Sequence, residues 1–396
     1  MKRAKHRKKR KLKKGFKFLL IIILLGIISV AGFYTYKEFS KSPKTKKVVK
    51  KEEKPKETTY EASMIMVGDC LIHSSVYYDA RTNNGGYDFK PMIKNIKPVI
   101  QQYDLAYYNQ ETILGGKELG LSTYPQFNSP YEVGDAFIDA GFNMVSLANN
   151  HSMDRGTKAL DNSIAYWKKH EDVYWAGTYS SFEERDTAKI GEKNGIKYAM
   201  LSYTTVNNGL STPAGKEYYV NMYSNELAKA DVERVKDQVD VVMVAMHWGT
   251  EYNEGAIDDE QREIAKYLSD LGVDIIIGAH PHVIEPIEYV GDTLVIYSLG
   301  NFLSGQIEPQ NMTGLMVGLN IKKTETTKGK EVIDKKVEIG DVTAEFVFTY
   351  FTPGAYTNFK MYRYSQLNND LLYGYKDYMK RWKNDIGNPD FVKVIE

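Results

Sequence analysis

Asp274-Ile275-Ile276-Ile277-Gly278-Ala279-His280-Pro281-His282 is an apolar run of strand length that ends in a His-x-His pair. Such a run, bounded by Gly and Pro, reads as a strand buried on both faces. Alternate residues of an extended segment project oppositely, so His280 and His282 can each offer an imidazole to a different one of two neighbouring cations. A lone His-x-His is a weak signal. Five further stretches repeat the arrangement of an apolar run closing on metal-ligand side chains: Gly68-Asp69-Cys70-Leu71-Ile72-His73, Asn109-Gln110-Glu111, Ala148-Asn149-Asn150-His151, His247-Trp248-Gly249 and Ser298-Leu299-Gly300-Asn301. Five of the seven histidines lie inside these six stretches, a concentration that random placement would not give.

Outward from this run the pattern continues. Strands are expected over 63–67, 105–108, 143–148, 173–176, 197–203, 240–246, 274–277 and 294–298, and helices over 89–102, 132–140, 155–170, 224–239 and 257–271. Gly141 and Gly272 stand where helix C-terminal caps belong. Strands alternating with helices imply an α/β body with buried sheets. In open α/β sheets, ligand sites gather at the carboxyl ends of strands. Here five strand ends would deliver donors to one edge. Past Asn301 the expectation changes to antiparallel strands over 313–321, 335–339 and 342–350, with 323–330 as a loop and a tail helix near 366–382.

The donors are oxygen and imidazole, with no thiolate pair, which argues against a structural zinc site. They suit two divalent metal ions, Mn²⁺, Fe or Zn²⁺, in a hydrolytic pair. Glu111 is placed to bridge two cations. Asp69 ends a strand as a ligand, its alternative use being a helix cap. Asn150 offers a carboxamide oxygen, and the adjacent His151 is the candidate general acid. Asp154, three residues on, either orients His151 or caps the next helix. His247, His280 and His282 complete the metal set. His73, Asn109, Trp248 and Asn301 are the candidate substrate contacts, His73 having a ligand role as its alternative, and Glu251 is a candidate support for His247. Cys70, the single cysteine, reads as a small packing residue. Nucleophile-elbow, phosphate-loop and dinucleotide-fold fingerprints do not occur.

Charge is segregated. Residues 1–57 carry 20 Lys/Arg against four Glu, a net +16, which leaves −15 for residues 58–396. An acidic body behind a basic tail argues against nucleic-acid binding. Eleven Lys/Arg within 2–17 precede 19 uncharged residues, 18–36, which span about 28 Å as a helix. This reads as a transmembrane anchor with its basic end in the cytoplasm and the body outside. The alternative is a cleaved signal peptide with Ser29-Val30-Ala31 at the cleavage site. Residues 37–59, rich in Lys, Glu, Thr and Pro, read as a solvated stalk.

With Val67-Gly68-Asp69, Asn109-x-Glu111, the Ser146 to Asp154 block, His247-Trp248-Gly249-x-Glu251-Tyr252, Gly278-Ala279-His280-Pro281-His282-Val283 and Tyr297-Ser298-Leu299-Gly300-Asn301-Phe302 in order, the chain resembles the bacterial capsule-synthesis CapA (PgsA) family of poly-γ-glutamate biosynthesis. The resemblance implies a four-layer α/β/β/α sandwich like that of calcineurin-type metallophosphoesterases. It implies one cation held by Asp69 and His282, another by Asn150, His247 and His280, Glu111 between them, and His151 as the catalytic histidine. Compared with the phosphoesterase pattern, Cys70-Leu71 follows Asp69 where Asp-x-His is usual, and Asn109-x-Glu111 replaces Gly-Asp-x-x-Asp. The implied layout is a cytoplasmic tail (1–17), an anchor (18–36), a stalk (37–59), a phosphoesterase-like domain (60–304) and a β-rich extension (305–396). Implied partners are membrane-bound capsule synthase or export proteins and an anionic cell-surface polymer. A non-catalytic export or assembly subunit, and a cell-wall phosphoesterase unrelated to poly-γ-glutamate, are the competing readings.

Overall fold

The computed structural model describes residues 13–41 and 54–396, and the chain divides into two compact units, Met1–Lys54 and Pro55–Glu396. In the first unit the apolar run forms one helix, Lys14–Phe39, of 26 residues, long and apolar enough to cross a membrane. Its serine and threonine hydroxyls do not break the apolar surface. Ser29 Oγ donates to Leu25 O (2.9 Å) and Thr35 Oγ1 to Ala31 O (3.0 Å), so each is satisfied one turn back within the helix. Residues 1–12 of the tail and 42–53 of the stalk lie outside the described residues.

The second unit is built on two sheets. The first comprises β1 (Lys56–Leu71), β2 (Leu105–Asn109), β3 (Met144–Ser146) and β4 (Tyr174–Ala176). The second uses β5 (Gly191–Lys193), β6 (Ile196–Thr204), β7 (Val241–His247), β8 (Ile275–Ala279), β9 (Ile287–Val290) and β10 (Thr293–Ile296) in the order β5-β6-β7-β8-β10-β9. The chain then returns to the first sheet with β11 (Asn301–Ser304), β12 (Thr313–Lys328), β13 (Glu331–Thr352), β14 (Thr357–Arg363) and β15 (Lys393–Ile395). The first sheet runs β14-β13-β12-β1-β2-β3-β4, with β11 beside β1 and β15 beside β13. Strands β1 to β4 are mutually parallel, as are β6, β7, β8 and β10.

Strand periodicity sorts the side chains into layers. Met64, Met66, Leu105 and Tyr107 of the first sheet meet Met243, Ala245, Ile275 and Ile277 of the second in one buried cluster. Their alternates, Ile65, Val67, Ala106 and Tyr108, pack with Val133, Phe137, Leu160 and Ile164 of the helices Glu132–Ala140 and Gly156–Trp167. On the far side, Val242, Val244, Met246 and Ile276 pack with Val232, Ile264 and Leu268 of Asn225–Val235 and Asp259–Leu271. The result is four layers, helix, sheet, sheet, helix. Strands covered on both faces need continuous apolar runs, which is what the sequence holds.

Three expectations change. The helix expected over 89–102 is two single turns, Lys90–Ile93 and Lys97–Ile100, each with a proline in its first turn. Pro98 has no N–H to give and its ring crowds the preceding turn, so the first cannot run into the second. The 323–330 loop is strand up to Lys328, with Gly329-Lys330 as the reversal. The end of the expected stalk pairs with it, Lys56 opposite Thr327 through Thr59 opposite Thr324. β-branched threonines on both strands favour this extended pairing. Residues 305–396 therefore supply much of the first sheet, and the tail helix, Tyr375–Asp385, buries Trp382 in the inter-sheet cluster.

Glycine lets the strand ends come together. A Cβ on Gly68 would lie 1.8 Å from Gly300 O, and one on Gly278 would lie 1.8 Å from Tyr297 O. Because both obstacles are backbone, neither can step aside. Gly278→Ala is expected to cost about 3 kcal/mol through overpacking, read as a lower urea midpoint. Gly340→Ala, where nothing lies within 4 Å of the added methyl, should leave the midpoint near that of the unaltered chain.

Candidate metal centre

The inter-sheet parity that buries Leu105 and Tyr107 of β2, and Met243 and Ala245 of β7, continues to Asn109 and His247 at the ends of those strands. Asp69 near the end of β1, His280 and His282 just past β8, and the loop after β3 reach the same place. Asp69, Glu111, His247, His280 and His282 are all buried. Ligand atoms of Glu111, His247 and His280 lie within 4.8 Å of one another, and so do those of Asp69, Glu111 and His282. Glu111 belongs to both groups. Its Oε1 is 3.6 Å from His247 Nε2 and 3.6 Å from His282 Nε2. Asn150 Oδ1 stands 2.9 Å from His247 Nε2, adding a carboxamide oxygen to the first group.

The backbone accepts strain to present the histidines. His280 has φ +101° and His282 φ +57°, left-handed values that cost a non-glycine residue of order 1 kcal/mol or more. A hydrogen-bonded chain fixes the acid. Ser146 Oγ, paired with Tyr107 Oη at 2.7 Å, donates to Asn109 Oδ1 (2.8 Å), and Asn109 Nδ2 donates to Asp69 Oδ1 (2.8 Å). Asn109 also sits 3.3 Å from His247 Nδ1. It thus positions two donors rather than facing substrate. Asn301 plays a similar part. Its Oδ1 is 3.1 Å from His282 Nδ1, while its Nδ2 donates to Gln306 Oε1 and Asn311 O.

The electrostatics call for positive charge. Burial lifts the Glu111 carboxyl well above the usual range; His282 opposes this and Asp69 adds to it. Burial works against a charged His282, but Glu111, then the hydrogen bond and charge of Asp69, carry it up to about 9. Burial, reinforced by His282, takes His280 down to about 3, and burial with both neighbouring imidazoles lowers His247. Both Glu111 oxygens and His280 Nδ1 are buried with no hydrogen-bond partner. Native proteins rarely tolerate such orphans. Oxygen and imidazole atoms left unpaired and aimed at a shared point fit divalent cations.

His151 lies beside this cluster. Its Nδ1 is 2.7 Å from Asp154 Oδ2, which also accepts from Phe127 N at 2.5 Å. Asp154 therefore orients the imidazole, and the helix that follows has no side-chain cap. Asn149 holds the loop, accepting from His151 N and donating to Gln110 O. His73 stands outside both donor groups, in the wall of a cleft of about 410 Å³ that His151 and His282 also line. Burial lowers it to about 4. Glu251 approaches His282 (4.0 Å), not the His247 it was expected to support. Cys70 packs on the helix side of the first sheet, its thiol pushed up by burial.

Trp248 departs from expectation. Its ring is buried with the outer helices, stacked on Tyr297, and its Nε1 donates to Tyr297 O. Next to His247 on an extended segment, it must face the other way. The sequence reading missed Phe127, whose ring meets both His151 (4.7 Å) and His73 (5.2 Å) edge-on, as well as Asn208 and Gln306 in the cleft wall. These come from loops without periodicity, and nothing in the linear sequence marks them. A larger cavity, about 590 Å³, lies apart from the cluster, where Lys168 and Arg234 are paired with Glu184 and Asp231.

A two-sheet α/β sandwich here closes two histidine-containing donor groups on one shared carboxylate, an arrangement consistent with a metal site. The match to the family described as "Bacterial capsule synthesis protein PGA_cap" runs over residues 63–306, more than half the chain and all six donor stretches. The chain belongs to that capsule synthesis family. It is 30% identical over 293 residues to "PGA biosynthesis protein CapA" of Bacillus subtilis (strain 168), covering 70% of this chain and 73% of that protein. With "Capsule biosynthesis protein CapA" of Bacillus anthracis it shares 28% identity over 304 residues, 74% of this chain and 70% of that one. Among solved structures, the calcineurin-like phosphoesterase YfkN from Bacillus subtilis matches with a TM-score of 0.40 at 16% identity, covering 71% of this chain and 91% of that one.

Glu111→Gln tests the shared carboxylate directly. Without cations the variant should melt about 2–4 °C higher, since a buried acid facing Asp69 becomes a neutral amide. Added Mn²⁺ should raise the melting temperature of the unaltered chain, as any ligand of the folded state does, and leave the variant unmoved. Thermal melts with and without Mn²⁺ read both outcomes.

Proposed function

We propose that the body holds two divalent cations at this centre and uses them to cleave or transfer a phosphoester or amide bond during synthesis of a capsule polymer outside the membrane. The observation that carries the reading is Glu111, a fully buried carboxylate with no hydrogen-bond partner that belongs to two donor groups. Asp69, Glu111 and His282 would hold one cation. Glu111, His247 and His280, with the Asn150 oxygen, would hold the other. Such a pair, Mn²⁺, Fe or Zn²⁺, supplies Lewis acidity toward the oxygen of the scissile group.

The chain's own residues supply the rest. Asp154 fixes the His151 ring through Nδ1, so Nε2 is the nitrogen left to give a proton to the leaving atom. The same carboxylate holds the ring's orientation before and after that transfer. Phe127 packs against the ring edge and restricts water on that side. Asn109 and Asn301 keep Asp69 and His282 in place. The helix Lys14–Phe39 would tether the body at the membrane with the basic tail inside, beside membrane-bound synthase or export proteins.

His151→Ala is expected to lower turnover of a phosphoester or γ-glutamyl substrate by about 10²–10⁴-fold, with bound metal unchanged by elemental analysis. Asp154→Asn should give a smaller loss of the same kind. Normal turnover and normal capsule output in His151→Ala cells would leave a polymer-gripping assembly subunit as the better reading. Phosphoester turnover in cells whose capsule is unaffected would favour a wall phosphoesterase.

A further inference from the structure

One carboxylate beside the centre is not used by it. Glu251 lines the cleft of about 410 Å³ that His151 and His282 also line, yet it belongs to neither donor group. Its side chain is 39% exposed, and the basic group it approaches among the described residues is the His282 imidazole, Oε1 to Nε2 at 4.0 Å. An imidazole that ligates a cation is neutral. With the centre occupied, Glu251 would face the cleft without a positive partner. The walls hold none either: among the described residues, no Lys or Arg lines this cleft or the cavity of about 270 Å³ beside Asn150.

Two aromatic faces stand in the same cleft without a cation of their own. Tyr124 and Tyr252 line it and are 76% and 51% exposed. Elsewhere the chain covers tyrosine rings with its own cations, Arg81 over Tyr78 and Lys323 over Tyr60; among the described residues, none covers Tyr124 or Tyr252. Tyr252 is held in place at a backbone cost. Its φ is +66°, its N–H donates to Pro281 O (2.8 Å), and Gln306 Nε2 donates to its Oη at 3.0 Å. Its ring centre lies 5.8 Å from that of His282. A bulky residue kept left-handed beside a reactive centre points to use of its side chain.

An acid and two uncovered ring faces define what this wall can hold. Ring faces attract cations, and a carboxylate accepts strong hydrogen bonds from an ammonium. An anionic group at the same place would meet Glu251 and no counter-charge. Distance matters as much as sign. Glu251 lies 4.0 Å from a donor nitrogen of the centre, so a cation paired with it and a group bound at the centre belong to one unit of a substrate.

We propose that the cleft selects a substrate with a primary ammonium in the same unit as its reacting carbonyl or phosphoryl, the ammonium pairing with Glu251 against the rings of Tyr252 and Tyr124. In an amide-linked chain the first unit alone keeps a free amine, so the centre would act at that end; in a phosphoester the amine would sit on the alcohol. Where the bond would break rests on the metal-centre reading above, whereas capture of the ammonium is read by binding. The test is a titration of full-length His151→Ala protein in detergent with Mn²⁺ present, a variant that keeps the probes intact. Two matched pairs serve as probes: a γ-glutamyl trimer with a free amino end against the same trimer N-acetylated, and phosphoethanolamine against ethyl phosphate. The amine-bearing member of at least one pair should bind about tenfold more tightly, and the pair that discriminates identifies the source of the ammonium. Adding Glu251→Gln should bring the two members within about twofold of each other, with bound Mn²⁺ unchanged by elemental analysis. Tyr252→Asn, a residue that tolerates the left-handed backbone, should weaken the amine-bearing member about threefold, and Tyr252→Phe should not. Equal binding within both pairs, no binding of any probe, or discrimination that survives Glu251→Gln would each overturn the proposal. Loss of Mn²⁺ from Glu251→Gln would overturn it too, making Glu251 a support for His282. Amine discrimination in a protein that holds no Mn²⁺ and, with His151 restored, turns over neither substrate class would overturn the catalytic reading alone.

Discussion

Glu111 is the constraint around which the centre is organised. A carboxylate taken out of water without partners is costly, and nothing in the surrounding protein offers it a hydrogen bond. What the surroundings offer is three imidazoles and a second carboxylate, Asp69. Two acids and three bases at such range cannot all be comfortable in their ordinary protonation states. Glu111 and His282 are both pushed up and hold a proton between them, while His247 and His280 are left neutral. Neutral imidazoles and ionised carboxylates are also the forms in which these groups bind cations. The burial that makes the metal-free cluster strained thus keeps His247 and His280 in their coordinating state.

Holding that cluster together demands a scaffold that does not yield. The donors come from strand ends of two different sheets, so their spacing is set by how closely the sheets pack. The segment Tyr297–Gly300, which passes from the second sheet to the first, lies backbone against backbone on Gly278 of β8 and on Gly68 of β1, and so ties the two strand ends together without an intervening side chain. Positive φ at His280 and His282 then turns both imidazoles toward Glu111 within three residues. Such strain is sustainable only on elements buried from both sides, and β1 and β8 are.

Most of the strand framework was legible because strands covered on both faces must be apolar throughout, and runs such as those ending at Asp69, His247 and His280 are hard to mistake. The donors were legible for a related reason: a charged or amide residue that closes such a run lies at a sheet edge, where ligand sites form. Which side of the sheet it faces was not legible. His247 shares the parity of Met243 and Ala245 and reaches the inter-sheet layer, whereas Trp248 shares that of Val244 and Met246 and goes to the helices. The alternation was in the sequence, but assigning its two faces needs the second sheet. The roles of Asn109 and Asn301 were hidden likewise, since an amide beside a ligand reads the same whether it touches substrate or another side chain. The pairing of Lys56–Thr59 depends on a partner some 270 residues away, and local composition, all Lys, Glu and Thr, argues for solvent instead.

Charge connects the centre to what it can bind. The body is acidic overall, and the two cavities beside the centre are lined by no Lys or Arg among the described residues. Positive potential there must therefore come from the donor cluster itself. Without cations, that source is at most the one proton shared by His282 and the acids it faces. Two divalent cations would reverse the balance to net positive, in a low-dielectric site where each charge counts for more than in water. On the proposed reading, an anionic group would then be attracted only at the point where the cations sit, because the walls on either side are neutral or repulsive. Recognition would divide in two: charge at the centre would select the reacting group, and hydrogen bonds and aromatic contact the rest of the substrate. A basic groove would merge these functions and would hold any polyanion along its whole length. Keeping them apart would confine the attraction to the place where the proposed chemistry acts.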